Sequence, residues 1–396
     1  MLNKLRLFFQ AKKTDASHIC PEKDYKSPEE IIANSDSFYD KEDLVFFPGL
    51  NAYGAFKYNV VKDILSNNKA ITVSNIHIEL NSVYFSINEQ KHQNNKKAAY
   101  QHLEFLSKKL QNEPNEYTEQ LFHRLKSMFP VEKEFDLTEY LINPLIFISI
   151  LKEYGFIDYM PRFSPWHDEY NHENAIELIN SYFNDSSLLT TLIIDYFKDG
   201  NPIPDKMQHF LSDIQSDHKI NDELLAQFFA SMIFSGTHST ASFLSSYIYT
   251  IFSQFSHFWK DSLHPKNLEI LEDEILRLHM PVQWIFRTVR EDTQYAGINL
   301  KTGDTVLLFV GIANTDPTIF EDPHQIKFDR KVNHLSFGTG PYACIGKFTT
   351  HRMAVNLVSY LSQCSDEITL TQKEVKHTIH NAILKTPVLV TYHSLS

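Results

Sequence analysis

Cys344 lies in FGTGPYACIG, Phe337 to Gly346, a stretch that holds three of the chain's 11 glycines, Gly338, Gly340 and Gly346. Glycine gathers where a backbone must take positive φ or pass close to another group. From Lys347 onward Phe348, Met353, Ala354, Leu357, Val358 and Leu361 recur at helical spacing. That spacing predicts a helix beginning just past the cysteine. Free backbone N–H groups and the positive end of the helix dipole favour a thiolate there, and a thiolate is the form that binds a metal. A lone cysteine can instead pack as a small buried hydrophobe. The glycine frame speaks for a sulfur presented to something bulky.

Other stretches also carry polar groups of defined spacing. FSGTHST, Phe234 to Thr240, interrupts an otherwise apolar helical run. Polar groups in such a place are costly unless hydrogen-bonded or used. Ser and Thr bonding back to the preceding turn is one reading. A helix crossing the face of a cofactor, with Gly236 permitting close approach to the backbone, is the other. EILR sets Glu274 and Arg277 at i, i+3 on one helical face, a pairing that is common and weak on surfaces. HQNNK sets His92 and Lys96 at i, i+4 on one face.

FGTGPYACIG resembles the haem-binding loop of the cytochrome P450 family, F-G-x-G-x-[H/R]-x-C-x-G, at Phe337, Gly338, Gly340, Cys344 and Gly346. It departs at Tyr342, where the family has a His or Arg directed at a haem propionate. The resemblance implies haem b, iron protoporphyrin IX, with the Cys344 thiolate as axial ligand. Such a ligand pushes electron density onto iron and favours O–O cleavage.

FSGTHST is similar to the family's oxygen-binding motif, [A/G]-G-x-[D/E]-T, with Ser235 and Gly236 in the first two positions. His238 stands at the acid and Ser239 at the threonine, with Thr240 next. These three are the candidate catalytic residues. Ser239 keeps a hydroxyl able to hydrogen-bond iron-bound dioxygen. His238 titrates near neutrality and could relay protons. EILR resembles the structural E-x-x-R pair. Its third partner is an arginine in a P-x-R-F stretch, and Gln325, within Pro323 to Ile326, stands in that place. The expectation is an electrostatically weaker corner. HQNNK resembles H-x-x-x-R, with Lys96 offering a point charge rather than a fork. Arg287 in FRTVRED and His334 in NHLSFG match the family's propionate-binding arginine and histidine. The implied cofactor-binding set is therefore His92, Lys96, Gly236, Arg287, His334, Phe337, Tyr342 and Gly346. The resemblance runs from about Phe47 to Met353.

The elements that must position these residues are mostly helical. The patterns predict a β-rich patch over 43–58 and a short helix over 60–65. They predict helices over 90–110, 138–154 with Pro144 inside, and 268–279, two helices within 161–197, and one long helix over 222–257. Part of 201–219 reads as loop. A hairpin is expected across 296–310, turning at Lys301 to Asp304. The fold class is mainly α with a small β-rich region, the cytochrome P450 fold by resemblance. No linker divides the 396 residues. One large domain is expected over 41–396, with 1–40 a peripheral or partly ordered segment.

Lys and Arg number 37 against 49 Asp and Glu, a net charge of −12, which argues against nucleic acid as partner. Cys20, Cys344 and Cys364 form no disulfide framework, so a reducing, cytoplasmic setting is expected. The opening MLNKLRLFFQAKK is too short and too charged to span a membrane. The resemblance implies a monooxygenase that hydroxylates or epoxidises a small to medium, largely apolar organic substrate with dioxygen, in secondary-metabolite biosynthesis. Electrons would come from a ferredoxin- or flavodoxin-type donor, steered to a basic patch of Lys96, Lys97, Lys347, His351 and Arg352. The altered oxygen motif leaves a peroxide-driven or otherwise atypical haem-thiolate enzyme, or a non-catalytic haem protein, as alternatives. The implied pocket comprises 71–85, 163–182, 230–235 and 282–286, including Ile76, Tyr84, Phe85, Trp284, Ile285 and Phe286.

Overall fold

The computed structural model describes residues 25–394 except 35–37, 67–68, 74–90, 100–115, 158–171, 214–220, 260–264, 332 and 381. Its contacts gather into two compact units, each assembled from separate stretches of chain. The architecture is mainly α with small sheets, as expected.

The first unit takes in residues up to 76, 269–344 and 379–384. Its centre is a five-stranded sheet in the order Val45–Phe47, Ala52–Ala55, Thr305–Leu308, Ile285–Val289, Ile71–Val73. Ala52–Ala55 and Thr305–Leu308 run parallel, and the other neighbours are antiparallel. Side chains alternate between faces along a strand. Phe46, Tyr53, Val306 and Leu308 therefore pack on one side with Val61, Ile64 and Leu65 of the helix Tyr58–Ser66. Val45, Phe47, Ala52 and Leu307 pack on the other with Phe56, Trp284 and Phe309.

That second face also takes in part of the N-terminal segment. Tyr25, Ile31 and Phe38 are buried in it, and the Phe38, Phe56 and Phe309 rings stack at 4.5 and 4.8 Å. Tyr25, Ile31 and Phe38 thus join a core, because the sheet leaves an aromatic face that needs cover. Residues 1–24 lie outside the described residues.

The expected hairpin is also different. Ile298–Leu300 pairs with Thr293–Tyr295, not with Thr305–Leu308. The two residues between them, Ala296 and Gly297, both have positive φ, 49° and 82°. Left-handed conformations at both central positions make the tight turn that suits a hairpin's twist. A turn does form at Lys301 to Asp304, where the Asp304 amide donates to the Lys301 carbonyl at 2.9 Å. It connects two sheets. All four residues of Thr305–Leu308 are buried, which a two-stranded ribbon cannot provide and the middle of the large sheet can.

The second unit takes in 77–268, 345–378 and 385 onward. The helix Asp222–Gln254 is its axis and packs on the helices Asn143–Glu153 and Ser186–Lys198. The Asn221 side chain caps its start by accepting from the Leu224 amide at 2.8 Å. The apolar helix predicted over 138–154 divides into a π-helical turn, Thr138–Ile142, and the α-helix Asn143–Glu153. Pro144 falls in the first turn of the latter, where a missing N–H breaks no bond. The two helices expected within 161–197 are His172–Asn184 and Ser186–Lys198, and 201–219 contains a helix at Asp205–Asp213. The helix expected beyond Cys344 is Lys347–Ser362.

Candidate active site

The cysteine loop is built by backbone constraints within the first unit. Gly338 and Gly340 have φ of 63° and 73°, where other residues are strained. At Gly340 a Cβ would also lie 2.7 Å from both the Leu65 carbonyl oxygen and Ser66 Cα. The loop is thereby pressed onto the end of the helix Tyr58–Ser66, with Gly340–Tyr342 forming one tight turn. The Cys344 amide donates to the Phe337 carbonyl at 2.7 Å, closing the loop on itself. Cys344 is exposed at its end, three residues before the Lys347–Ser362 helix begins. Cys364 is the opposite case. It is buried, and burial pushes its thiol up to about 11, so it stays a thiol and packs.

Arg287 sits on the strand Ile285–Val289, paired in register with Val73 and Val306. It is buried, and its Nη1 donates to the Phe286 carbonyl at 2.9 Å. Among the described residues no carboxylate pairs with it. Burial pulls its guanidinium down to about 10, and the nearby Tyr342 works against that shift. His334 is engaged by the protein itself: Nδ1 accepts from the Ser336 amide at 3.1 Å, and Nε2 lies 3.4 Å from the Asp273 carboxylate. Its ring is 5.9 Å from that of Phe337.

Glu274 and Arg277 form a buried, two-pronged pair at 2.8 and 3.1 Å. Arg277 also donates to the main-chain carbonyls of Asn314, Pro323 and Gln325. Gln325 therefore contributes its carbonyl rather than a side chain in place of arginine. The arginine of this corner is Arg330, whose Nε lies 3.3 Å from Glu274. The expected electrostatic weakening is thus not found. The chain after Pro323 folds back and delivers a guanidinium five residues later than the motif spacing suggests. Arg330 was recognisable only as an arginine shortly before His334.

The second unit holds the remaining candidates. On the long helix Ser235 is exposed and Ser239 half-buried, and Ser239 Oγ donates to the Ser235 carbonyl at 2.8 Å. His238, about 100° around the helix, is buried. Its ring is stacked with Phe234 at 3.8 Å and Phe183 at 4.4 Å. Its Nδ1 is 3.2 Å from the Phe234 carbonyl and from Thr237 Oγ1. Burial, reinforced by Lys385, pulls the imidazole down to about 4. His238 is accordingly neutral at pH 7, with Nδ1–H donated to the Phe234 carbonyl. Thr240 is buried, as is His92, while Lys96 is half-buried in the helical stretch 91–99. A Cβ on Gly236 would come 3.2 Å from Ile150 Cδ1, so close helix packing accounts for this glycine.

The first unit thus brings together Cys344, Arg287, His334, Phe337, Tyr342 and the Glu274–Arg277 pair. The second holds His92, Lys96, Gly236, His238, Ser239, Thr240 and Gly346. Of the implied pocket, residues 74–85 and 163–171 lie outside the described residues, and Trp284 is part of the sheet's core. A haem ligated through cysteine needs a thiolate at the iron and cations for its two carboxylates. An exposed thiol on a rigid loop, and a buried guanidinium with no carboxylate partner among the described residues, fit that group.

The cytochrome P450 family model matches residues 266–392. Cytochrome P450(BM-1) of Priestia megaterium is 34% identical over 113 residues, covering 28% of this chain and 27% of that one. Cytochrome P450(MEG) of the same species is 29% identical over 151 residues, covering 37% and 36%. The biotin biosynthesis cytochrome P450 of Bacillus subtilis is 25% identical over 200 residues, covering 49% and 50%. The chain spans 60% of the length of one curated relative and 27% of another. Among solved structures, CYP109B1 from Bacillus subtilis superposes with a TM-score of 0.68 at 19% identity, covering 92% of this chain and all of that one. A mutant of P450 EryK in complex with erythromycin B gives 0.70 at 17% identity, covering 92% and 97%. Both show the fold. The cysteine loop lies inside the matched segment, so over 266–392 the chain is similar to cytochrome P450s, and its fold is theirs.

Proposed function

We propose that this chain is a haem-thiolate monooxygenase that inserts one atom of dioxygen into a small to medium, largely apolar organic substrate by hydroxylation or epoxidation. The observation that carries this is the exposed Cys344 thiol at the end of a loop closed by its own backbone bond to Phe337. The Cys344 thiolate would hold the iron of haem b, which would supply the oxygen-activating chemistry. Arg287 binds a haem carboxylate, which gives its buried charge a partner. Ser239, on the exposed side of the long helix, carries the hydroxyl that can turn from the Ser235 carbonyl and donate outward. His238 holds its Nδ1 proton on the Phe234 carbonyl and, clamped between two rings, fixes the helix around Ser239.

Electrons come from a ferredoxin- or flavodoxin-type protein, with Lys347, His351 and Arg352 of the Lys347–Ser362 helix as its landing side. The setting is cytoplasmic and the pathway one of secondary metabolism. Among the described residues no helix is long and apolar enough to cross a membrane.

The test is Cys344→Ser. The reduced, CO-treated wild type should show the absorption band of thiolate-ligated haem, and the variant should lose it. A variant that keeps the band removes Cys344 as ligand. His238 favours a second reading, a peroxide-driven enzyme, because a neutral ring stands where a carboxylic acid is usual. Turnover with hydrogen peroxide, and none with NAD(P)H, reductase and ferredoxin, would select it.

A further inference from the structure

Arg290 lies outside every motif above, yet the fold carries it to the same place as Arg287. It directly follows the strand Ile285–Val289, and its amide donates to the Ala70 carbonyl at 2.7 Å, continuing the pairing with Ile71–Val73. Its side chain then turns back: Nη2 donates to the Val73 carbonyl at 2.9 Å. Val73 is the residue that faces Arg287 across the sheet. The two arginines therefore gather at one register position of one edge strand.

Tyr342 completes the group. Its phenol lies within electrostatic reach of both guanidiniums. The backbone that carries it is fixed two residues earlier, where Gly340 is pressed against Leu65 and Ser66. Two arginines linked through Val73, with a phenolic hydroxyl within electrostatic reach of both, suit a carboxylate. Guanidinium forks match carboxylate oxygens in pairs, and the hydroxyl supplies a further donor.

We propose that Arg287, Arg290 and Tyr342 form a single cradle for one haem carboxylate. Arg290 supplies the positive charge that residue 342 lacks in this chain. This rests on the haem reading above and adds a binding residue to it.

The experiment uses the full chain reconstituted with iron protoporphyrin IX and, separately, with its dimethyl ester, in which both carboxylates are masked. Loss of each to excess apomyoglobin is timed. Arg290→Gln should speed loss of the free-acid haem about tenfold, the scale of one charge-assisted contact, and leave loss of the ester unchanged. Arg290→Lys should recover part of the difference, and Tyr342→Phe should give a smaller acceleration, again for the acid only. Equal acceleration of both haems would make Arg290 a structural residue and overturn the proposal. So would an unchanged rate for the free acid. A wild type that takes up neither haem would instead overturn the haem reading itself.

Discussion

Arg277 and Arg287 are both buried in the first unit, and their surroundings are opposite. Arg277 meets both oxygens of Glu274 and three main-chain carbonyls. Among the described residues Arg287 has one bond, to the carbonyl of the residue before it. Removing a charge from water costs several kcal/mol unless other groups replace the water. Arg277 is fully supplied by the fold, so it serves the fold. Arg287 is left with a deficit that an incoming anion would remove. The contrast separates an arginine whose charge the fold supplies from one that we propose holds a haem carboxylate, within a single unit.

Arg277→Ala should break the comparison from the structural side. It strands Glu274 in the interior and should cost about 3–5 kcal/mol, read from the urea midpoint of the haem-free chain. A loss near zero would mean that Arg330 suffices for Glu274.

His238 sharpens the comparison, since it solves the same burial problem by giving up its charge. Its folded-state pKa is about 4, against 6.5 for the ordinary group. The unfolded chain therefore binds more protons between those pH values. The contribution is complete above pH 6.5 and is lost as pH falls towards 4. It amounts to at most about 3 kcal/mol. His238→Phe should flatten that part of the pH–stability curve, and an unchanged curve would mean that the ring already exchanges with solvent.

Arg287→Met tests the deficit directly. It should raise the stability of the haem-free chain by about 1–2 kcal/mol while speeding haem loss. Destabilisation of the haem-free chain would show that Arg287 belongs with Arg277. The smallest effect is expected for Gln325→Ala, within about 0.5 kcal/mol, because only the main-chain carbonyl of Gln325 is used. A large loss in thermal midpoint would return the side chain to the corner.

The cysteine loop was legible in the sequence because its constraints are local. Positive φ at Gly338 and Gly340 demands glycine wherever the loop is placed, so the demand is written in residue types. Arg330 was not legible in the same way. Which arginine reaches Glu274 depends on how 323–330 folds back, and a motif counts residues along the chain. The hairpin failed for a related reason. Turn residues at Lys301 to Asp304 were real, but strand partners are chosen by burial, and Thr305–Leu308 required two neighbours.

By itself the sequence determined the helical framework, the glycine-framed thiol and the order of the charged motifs, since each follows from periodicity or backbone sterics over a few residues. Tertiary structure alone decided which buried charges are paired. It placed His238 between two phenylalanine rings, gave Glu274 a second arginine, and tied Arg290 to Val73, the strand partner of Arg287. Those outcomes turn on desolvation and on contacts between segments far apart in the chain, which no local pattern records.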